Sequence, residues 1–254
     1  MHQRPATSSL ANLGFLVWQS VRRRKLRHLG KMLRDQRSFV ALGGHISDLY
    51  PIFDDYRADA GSASGHYFHQ DLLVAQFIHD AAPARHIDVG SRVDGFVAHV
   101  ASFRPIDVID IRPMPPSTHS NIRFLQADLM RPNPDLESCA DSLSCLHVLE
   151  HLGLGRYGDP LDPDGHRKGL DALARMVRPG GRLYVSSPIG RRRVCFNAHR
   201  VFDPGDFPNW LGNRMKLERF DFVDDAGALH LQQDHRRVPG MQYGCGIYTF
   251  RRNG

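Results

Sequence analysis

The chain has 254 residues, 41% of them hydrophobic, enough for one sizeable buried core and an appendage. Its net charge of +6 suits contact with an anionic partner, but no aromatic and basic stripe or RNA module accompanies it, so no nucleic-acid partner is expected. Four cysteines, Cys139, Cys145, Cys195 and Cys245, form no C-x-x-C pair and read as reduced thiols. No apolar run approaches the roughly 20 residues a spanning helix needs, and no secretory-signal pattern is visible, so a cytoplasmic location is expected.

Near the amino terminus, Leu10, Leu13, Val17 and Val21, then Leu26, Leu29 and Leu33, recur at helical spacing among Arg22-Arg23-Arg24-Lys25, Arg27 and Lys31. They predict a basic amphipathic helix over 9–33. Three uses stay open for it: packing on the rest of the chain or on a second copy, docking at the inner membrane surface beside Phe15 and Trp18, and nucleic-acid binding. Residues 34–85 follow as a lead-in, with glycine, serine and aspartate concentrated from Gly43-Gly44 to Gly65, and the chain divides into 1–65 and 66–254. A helix is predicted from His66 to Ala82, on Leu72, Leu73, Gln76 and Phe77. The first strand, His86–Val89, runs into a glycine turn at Gly90. A second apolar run, Val108–Asp110, a third, Ile122–Leu129, and a fourth, Asp141–His151, each carry polar groups at their carboxyl ends.

A helix over 166–177 is expected to stop at Arg178-Pro179-Gly180-Gly181, where proline and glycine open a turn. Arg182–Pro188 reads as a fifth strand and 190–216 as irregular chain. Leu217–Asp225 and Gly246–Arg252 read as two further strands. Strands and helices alternating in this way predict an α/β fold with a mostly parallel sheet covered on both faces, its ligand at the carboxyl ends of the strands.

A glycine that lets backbone approach a ligand, with an acid twenty positions on at the next strand tip, suits a nucleoside whose ribose hydroxyls Asp110 accepts. Arg92 stands where a dinucleotide fingerprint needs its second glycine. That disfavours NAD and leaves a nucleoside without phosphates, such as S-adenosylmethionine. Asp128 offers an acceptor for the adenine amine. Gly153-Leu-Gly155-Arg-Tyr-Gly158 matches G-x-G-x-x-G letter for letter, but it follows the fourth strand and prolines prevent a helix after it, so a substrate-side loop is the better reading. Asp159, Asp162 and Asp164 read as turn and N-cap residues, and no metal is expected.

The segments DVGS with its downstream acid, QADL, HVLEH and RPGGRLYVSSP resemble class I S-adenosylmethionine-dependent methyltransferases over residues 80–190. More narrowly, DVGSRVDGF with HVLEHLGLGRYGDPLDPDG and FNAHRVFDP resembles a branch associated with bacterial polysaccharide biosynthesis. The resemblance implies a Rossmann-like sheet closed by an antiparallel carboxyl-terminal pair. It also implies cofactor contacts from Asp88, Gly90, Ser91, Asp110, Ile111, Asp128, Leu129 and the His147 backbone, and O-methylation of a sugar or glycan. The usual D-x-G-x-G-x-G turn is kept only at Asp88 and Gly90.

An alcohol acceptor must lose a proton. His151 is the first candidate base, with Glu150 as its orienter or substitute and His199 as a second base. Arg156, Tyr157, Asn197 and Arg200 are candidate substrate contacts. Two alternatives stay open: a non-catalytic binding subunit of a glycan assembly complex, favoured by Arg92 in the glycine turn, and an RNA methyltransferase, favoured only by charge. The N/D-P-P-Y/F pattern of amino-methylating enzymes is absent, with Ser187-Pro188-Ile189 in its region.

Overall fold

The computed structural model describes residues 26–131 and 133–254. The amino-terminal half of the predicted basic helix, with Arg22–Lys25, lies outside the described residues. The chain falls into two compact units, one ending at Ser62 and the other spanning Ala63–Gly254.

In the first unit, α1 (Leu26–Ala41) runs past its predicted end at 33. Nothing in the sequence breaks it before Gly43-Gly44, where the amides of Leu42 and Gly44 cap the carbonyls of Ser38 and Phe39. His28 stacks on Tyr56 at 5.1 Å, and Lys31 lies 4.7 Å from the centre of the same ring.

The second unit is built on an eight-stranded sheet of order β3-β2-β1-β4-β5-β10-β8-β9. The strands are β1 (His86–Val89), β2 (Ile106–Asp110), β3 (Ile122–Gln126), β4 (Ala140–Leu146), β5 (Val177–Ile189), β8 (Met215–Val223), β9 (Leu229–His230) and β10 (Gly244–Arg252). β1 to β5 are parallel. β10 pairs antiparallel with both β5 and β8, closing the sheet as expected.

Alternate residues of each strand bury on opposite faces. On one face α2 (His66–Ala81) packs Val74, Ala75 and Ile78 against Phe96, Val100, Val108, Tyr184 and Ile247. On the other, α4 (Gly165–Met176) and α5 (Asp206–Leu211) join Leu143, Val185, Phe202 and Tyr248 in the larger core. Between β1 and β2 lies a π-helical turn (Val93–Val97) continuing into α3 (Ala98–Ala101).

Four boundaries differ from the sequence reading. β3 stops at Gln126. β4 stops at Leu146, because His147 takes φ 55° and turns the chain, so HVLEH is a site loop rather than strand. Arg178-Pro179-Gly180-Gly181 does not separate helix from strand. β5 is already paired at Val177, opposite Ala140, and the next register pair is Ser142 with Arg182, so the four residues bulge out of a continuous strand. The stretch expected to be irregular after β5 holds a hairpin of β6 (Arg193–Cys195) and β7 (His199–Val201), followed by α5.

The chain runs outward from β1 to β3 on one side and from β4 to β5 on the other. β1 and β4 therefore flank the switch point, the place where an open parallel sheet binds its ligand.

Candidate active site

The site begins with the turn after β1. Gly90 has φ 73°, a left-handed conformation natural to glycine, and a Cβ there would lie 2.9 Å from a Val148 methyl. Beneath the turn Asp88 is fully buried. Its carboxylate accepts hydrogen bonds from the Ser91 amide and hydroxyl, at 3.0 and 2.7 Å, and from the Ser144 hydroxyl at 2.6 Å. Burial raises the Asp88 pKa to about 6 against the pull of those hydrogen bonds.

Ser144 also faces Nε2 of His86 at 3.1 Å, and Ser142 faces Nδ1 of the same ring at 2.8 Å. Burial drives the His86 pKa down to about 3. A neutral imidazole thus donates through Ser144 toward Asp88. The Asp88 carboxylate and the Ser91 hydroxyl hold the turn from below, bonded to the chain itself. Arg92 has an extended backbone, and its exposed guanidinium pairs with Asp94 at 3.0 Å and lies 5.6 Å from the centre of the Tyr67 ring.

A cleft opens above Gly90. Among its lining residues are the strand-tip residues Asp110, Ile111, Asp128 and Leu129, together with His147, His151, Tyr157 and Asp159. The structure therefore brings together on one surface most of the residues singled out for a cofactor. Asp110 is not free: Arg112 binds it with Nε and Nη2, and the Arg112 guanidinium lies 4.6 Å from the centre of the Tyr157 ring. Asp128 accepts the Met130 amide at 2.9 Å and pairs with Arg131 at 3.3 Å.

The glycine loop is wrapped around Asp159, whose carboxylate accepts the amides of Gly153, Gly155 and Tyr157 at 2.7, 3.3 and 3.1 Å. Those amides would otherwise make an anion nest; here a carboxylate of the chain fills it. Gly153 is required on its own account, because a Cβ would fall 2.0 Å from the Asp162 carbonyl.

His151 is held by Nδ1, 2.7 Å from the Ala198 carbonyl. That bond makes Nδ1 the protonated nitrogen and leaves Nε2 as the acceptor, 3.7 Å from Glu150 Oε1. Burial lowers the His151 pKa, outweighing Glu150. Arg156 also reaches the Ala198 carbonyl, at 2.9 Å, and Tyr157 is partly exposed at the cleft.

Glu150 is 1% exposed and primarily faces His147, with Oε1 2.6 Å from Nδ1. Burial opposes charge on His147, but Cys245 and Glu150 overcome it and hold its pKa well above the ordinary value. The His199 ring lies 5.1 Å from Tyr243, tilted at 55°, and Asn197 is exposed on the β6–β7 hairpin. Arg200 faces the glycine loop. It is 5% exposed, and its Nη1 donates to the Leu152 carbonyl at 2.7 Å while Nη2 approaches the carbonyls of Asp162 and Pro163 at 3.5 and 3.3 Å. It braces the glycine loop from inside and also lines a second pocket, with Arg192, Phe202 and Trp210.

Sequence reasoning missed Arg112, His66, Tyr67 and Cys245. His66 stacks on His147 at 5.4 Å and 7°, Tyr67 approaches the same ring at 5.1 Å, and Cys245 sits fully buried on β10. Only Arg112 had a usable signal, its place two residues beyond the acid it binds.

A protein family described as "Caenorhabditis protein of unknown function, DUF268" matches residues 122–224. No curated protein matches the chain in sequence. Among solved structures, the N-methyltransferase NodS from Bradyrhizobium japonicum WM9, in complex with S-adenosyl-L-homocysteine, is similar with a TM-score of 0.52 at 15% identity, over 79% of this chain and 93% of that one. The 1,6-didemethyltoxoflavin-N1-methyltransferase of Burkholderia thailandensis, with 1,6-didemethyltoxoflavin and S-adenosylhomocysteine bound, gives 0.50 at 15% identity, over 81% and 100%. The cyclase SpnF gives 0.51 at 14% identity, over 89% and 96%. The chain has the Rossmann-like fold of the class I S-adenosylmethionine-dependent methyltransferases.

Proposed function

We propose that the chain is an S-adenosylmethionine-dependent O-methyltransferase whose acceptor is a sugar or glycan intermediate. The observation that carries this reading is the cleft. It joins the Gly90 turn, the acids at the tips of β2 and β3, and the His151 imidazole on one surface. The residues fit the cofactor: Gly90 lets backbone approach, Asp110 meets ribose hydroxyls, Asp128 meets the adenine amine, and Ile109, Ile111 and Leu129 flank the base. S-adenosylmethionine, when bound, supplies a methyl group on a sulfonium and so needs little more than in-line approach of the acceptor.

The chain's own part is then to orient the acceptor and take its proton. His151 Nε2 is the acceptor for that proton, and the Ala198 carbonyl holds the ring in the competent tautomer. Arg156 and Tyr157 lie at the rim, placed to order a hydroxylated substrate. Two solved neighbours are methyltransferases with S-adenosylhomocysteine bound, which supports the reaction class. The sugar acceptor rests on the resemblance of the DVGSRVDGF and FNAHRVFDP segments.

Calorimetric titration with S-adenosylmethionine, then mass spectrometry of products from candidate nucleotide sugars and glycans, tests the proposal. Micromolar binding with a gain of one methyl group on a sugar hydroxyl is the expected result. A second reading, a non-catalytic binding subunit of a glycan assembly complex, is favoured by one observation: Arg112 holds the carboxylate meant for ribose. The similarity to a cyclase is a reminder that this fold serves more than one chemistry. Binding of a glycan without cofactor affinity would establish that second reading.

The basic amphipathic amino-terminal segment suits peripheral contact with an anionic membrane. No described helix is long and apolar enough to cross one. Salt-sensitive sedimentation with anionic liposomes tests that contact.

A further inference from the structure

His66 at the start of α2, His147 after β4 and Cys245 on β10 each present a ligand atom, and the three atoms lie within 4.8 Å of one another. They come from three segments distant in the chain, yet they meet beside the switch point, with His147 also lining the cleft. Two nitrogens and a sulfur are the donor set of zinc and related borderline metals, not of magnesium or calcium, which take oxygen. Around a tetrahedral zinc such donors stand roughly 3.3–3.8 Å apart, from bond lengths of about 2.0–2.3 Å. The cluster needs to close by about an ångström, and His66, only partly buried, can supply that movement.

A second, independent observation points to an ion. Nδ1 of His147 is committed to Glu150 at 2.6 Å, while its Nε2 is buried with no hydrogen-bond partner among the described residues. A side chain 5% exposed with a ring nitrogen left without a partner is costly unless something binds it. The carboxylate behind the ring is the arrangement that orients a metal-binding histidine and raises its basicity. Cys245 has weak partners in the Gln70 side chain and the Gly246 carbonyl, both at 3.8 Å, and interacts with the His147 ring. Glu150 Oε2 is likewise buried without a partner.

We propose that His66, His147 and Cys245 form a zinc-class metal site, with Glu150 positioning His147 from behind. Three protein donors leave a further coordination position, the pattern of a catalytic rather than a purely structural zinc. At the edge of the cleft that position suits an oxygen, sulfur or nitrogen of the acceptor. The site does not depend on the methyltransferase reading: an ion can bind whether or not S-adenosylmethionine does.

The test uses the full chain without an affinity tag, reduced, stripped with chelator and titrated separately with zinc and with cobalt(II). One ion per chain is expected, with cobalt giving the intense visible bands of tetrahedral coordination and a thiolate-to-metal charge-transfer band in the near ultraviolet. Cys245→Ser should abolish the charge-transfer band. His66→Ala should weaken zinc binding by on the order of 100-fold or more, and Glu150→Gln by about 10–100-fold, with circular dichroism unchanged. If Cys245→Ser fails to fold, His66→Ala decides. Absence of zinc binding overturns the proposal, and so does binding that keeps its affinity in His66→Ala or its charge-transfer band in a folded Cys245→Ser.

Discussion

Arg112 grips both carboxylate oxygens of Asp110, through Nε at 3.0 Å and Nη2 at 2.7 Å, and its own amide adds a third bond at 2.8 Å. The acid at the tip of β2 therefore meets any nucleoside in competition with a neighbouring cation. Asp110→Ala should keep the fold and lose roughly 1.5–3 kcal/mol of cofactor binding, on the order of 10–100-fold in affinity. Arg112→Ala should do the opposite and tighten binding severalfold, because it frees the acceptor. Calorimetry of both variants with S-adenosylhomocysteine is the measurement. If Arg112→Ala weakens binding as much as Asp110→Ala does, the arginine belongs to the cofactor site rather than opposing it.

His151→Ala should lower turnover by roughly 10²–10⁴-fold with cofactor affinity retained. The pH profile of kcat should rise with acidity lost, because only the neutral ring accepts a proton. Its midpoint should fall below the ordinary histidine value of 6.5, since burial lowers this group. His199→Ala, at a residue on the far side of Tyr243, should raise KM for the acceptor more than it lowers kcat. An exchange of these two behaviours would move the base to the β6–β7 hairpin.

His86 and Asp88 share Ser144 and respond to acid in opposite directions. The His86 pKa falls from 6.5 to about 3 on folding, so its contribution is fully present above pH 6.5 and is lost as pH falls toward 3. Between pH 7.5 and 5 that loss is about 2 kcal/mol. Asp88 rises from 3.8 to about 6, so the folded state gains stability as pH falls from 6 toward 3.8. The two slopes partly cancel in the intact protein. His86→Asn should therefore gain about 2 kcal/mol relative to the parent on acidification from pH 7.5 to 5, read from urea unfolding at each pH. A difference that stays flat with pH would show that His86 titrates normally.

Gly90→Ala should destabilise the fold by about 1–3 kcal/mol, because alanine is strained at φ 73° and its methyl meets Val148. It should also impair cofactor binding more than that loss of stability explains. Gly240→Ala is the control, since a Cβ there meets nothing within 4 Å. Equal behaviour of the two variants would remove the turn from the site.

Arg200→Met should cost about 1.5–3 kcal/mol by releasing charged hydrogen bonds to the loop carbonyls. Its signature should be faster amide hydrogen exchange across residues 150–163. A variant with unchanged exchange and a raised acceptor KM would return Arg200 to the substrate contacts.

The strand-tip residues Gly90, Asp110 and Asp128 were legible because each closes an apolar run, and a parallel sheet puts all such ends on one edge. The turn chemistry of the glycine loop was legible too, in the prolines that forbid a helix after Gly158. What was not legible depended on partners remote in sequence. The Leu152 carbonyl that Arg200 reaches and the Ser144 hydroxyl that binds Asp88 lie 48 and 56 residues away in the chain. His147 leaves the strand because of one left-handed φ angle, which no periodicity announces. The pairing of Val177 opposite Ala140 needs β4 as a template, so Arg178–Gly181 reads locally as a turn and globally as a bulge. His66, His147 and Cys245 could not be joined without knowing that β10 lies beside β5.

That placement of β10 has a consequence for how the molecule is assembled. β8 precedes β10 in the chain, yet in the sheet β10 separates β8 from β5. The earlier strand must therefore wait for the later one, hovering until a neighbour slots in between. Until then β5 and β8 each present an unpaired backbone edge, an invitation to foreign strands. Closing such separated segments is slow because the entropy of the intervening loop is lost before the pairing is gained. A chain interrupted before Gly244 would keep those two edges open permanently, making it a seed for intermolecular association rather than a shortened enzyme.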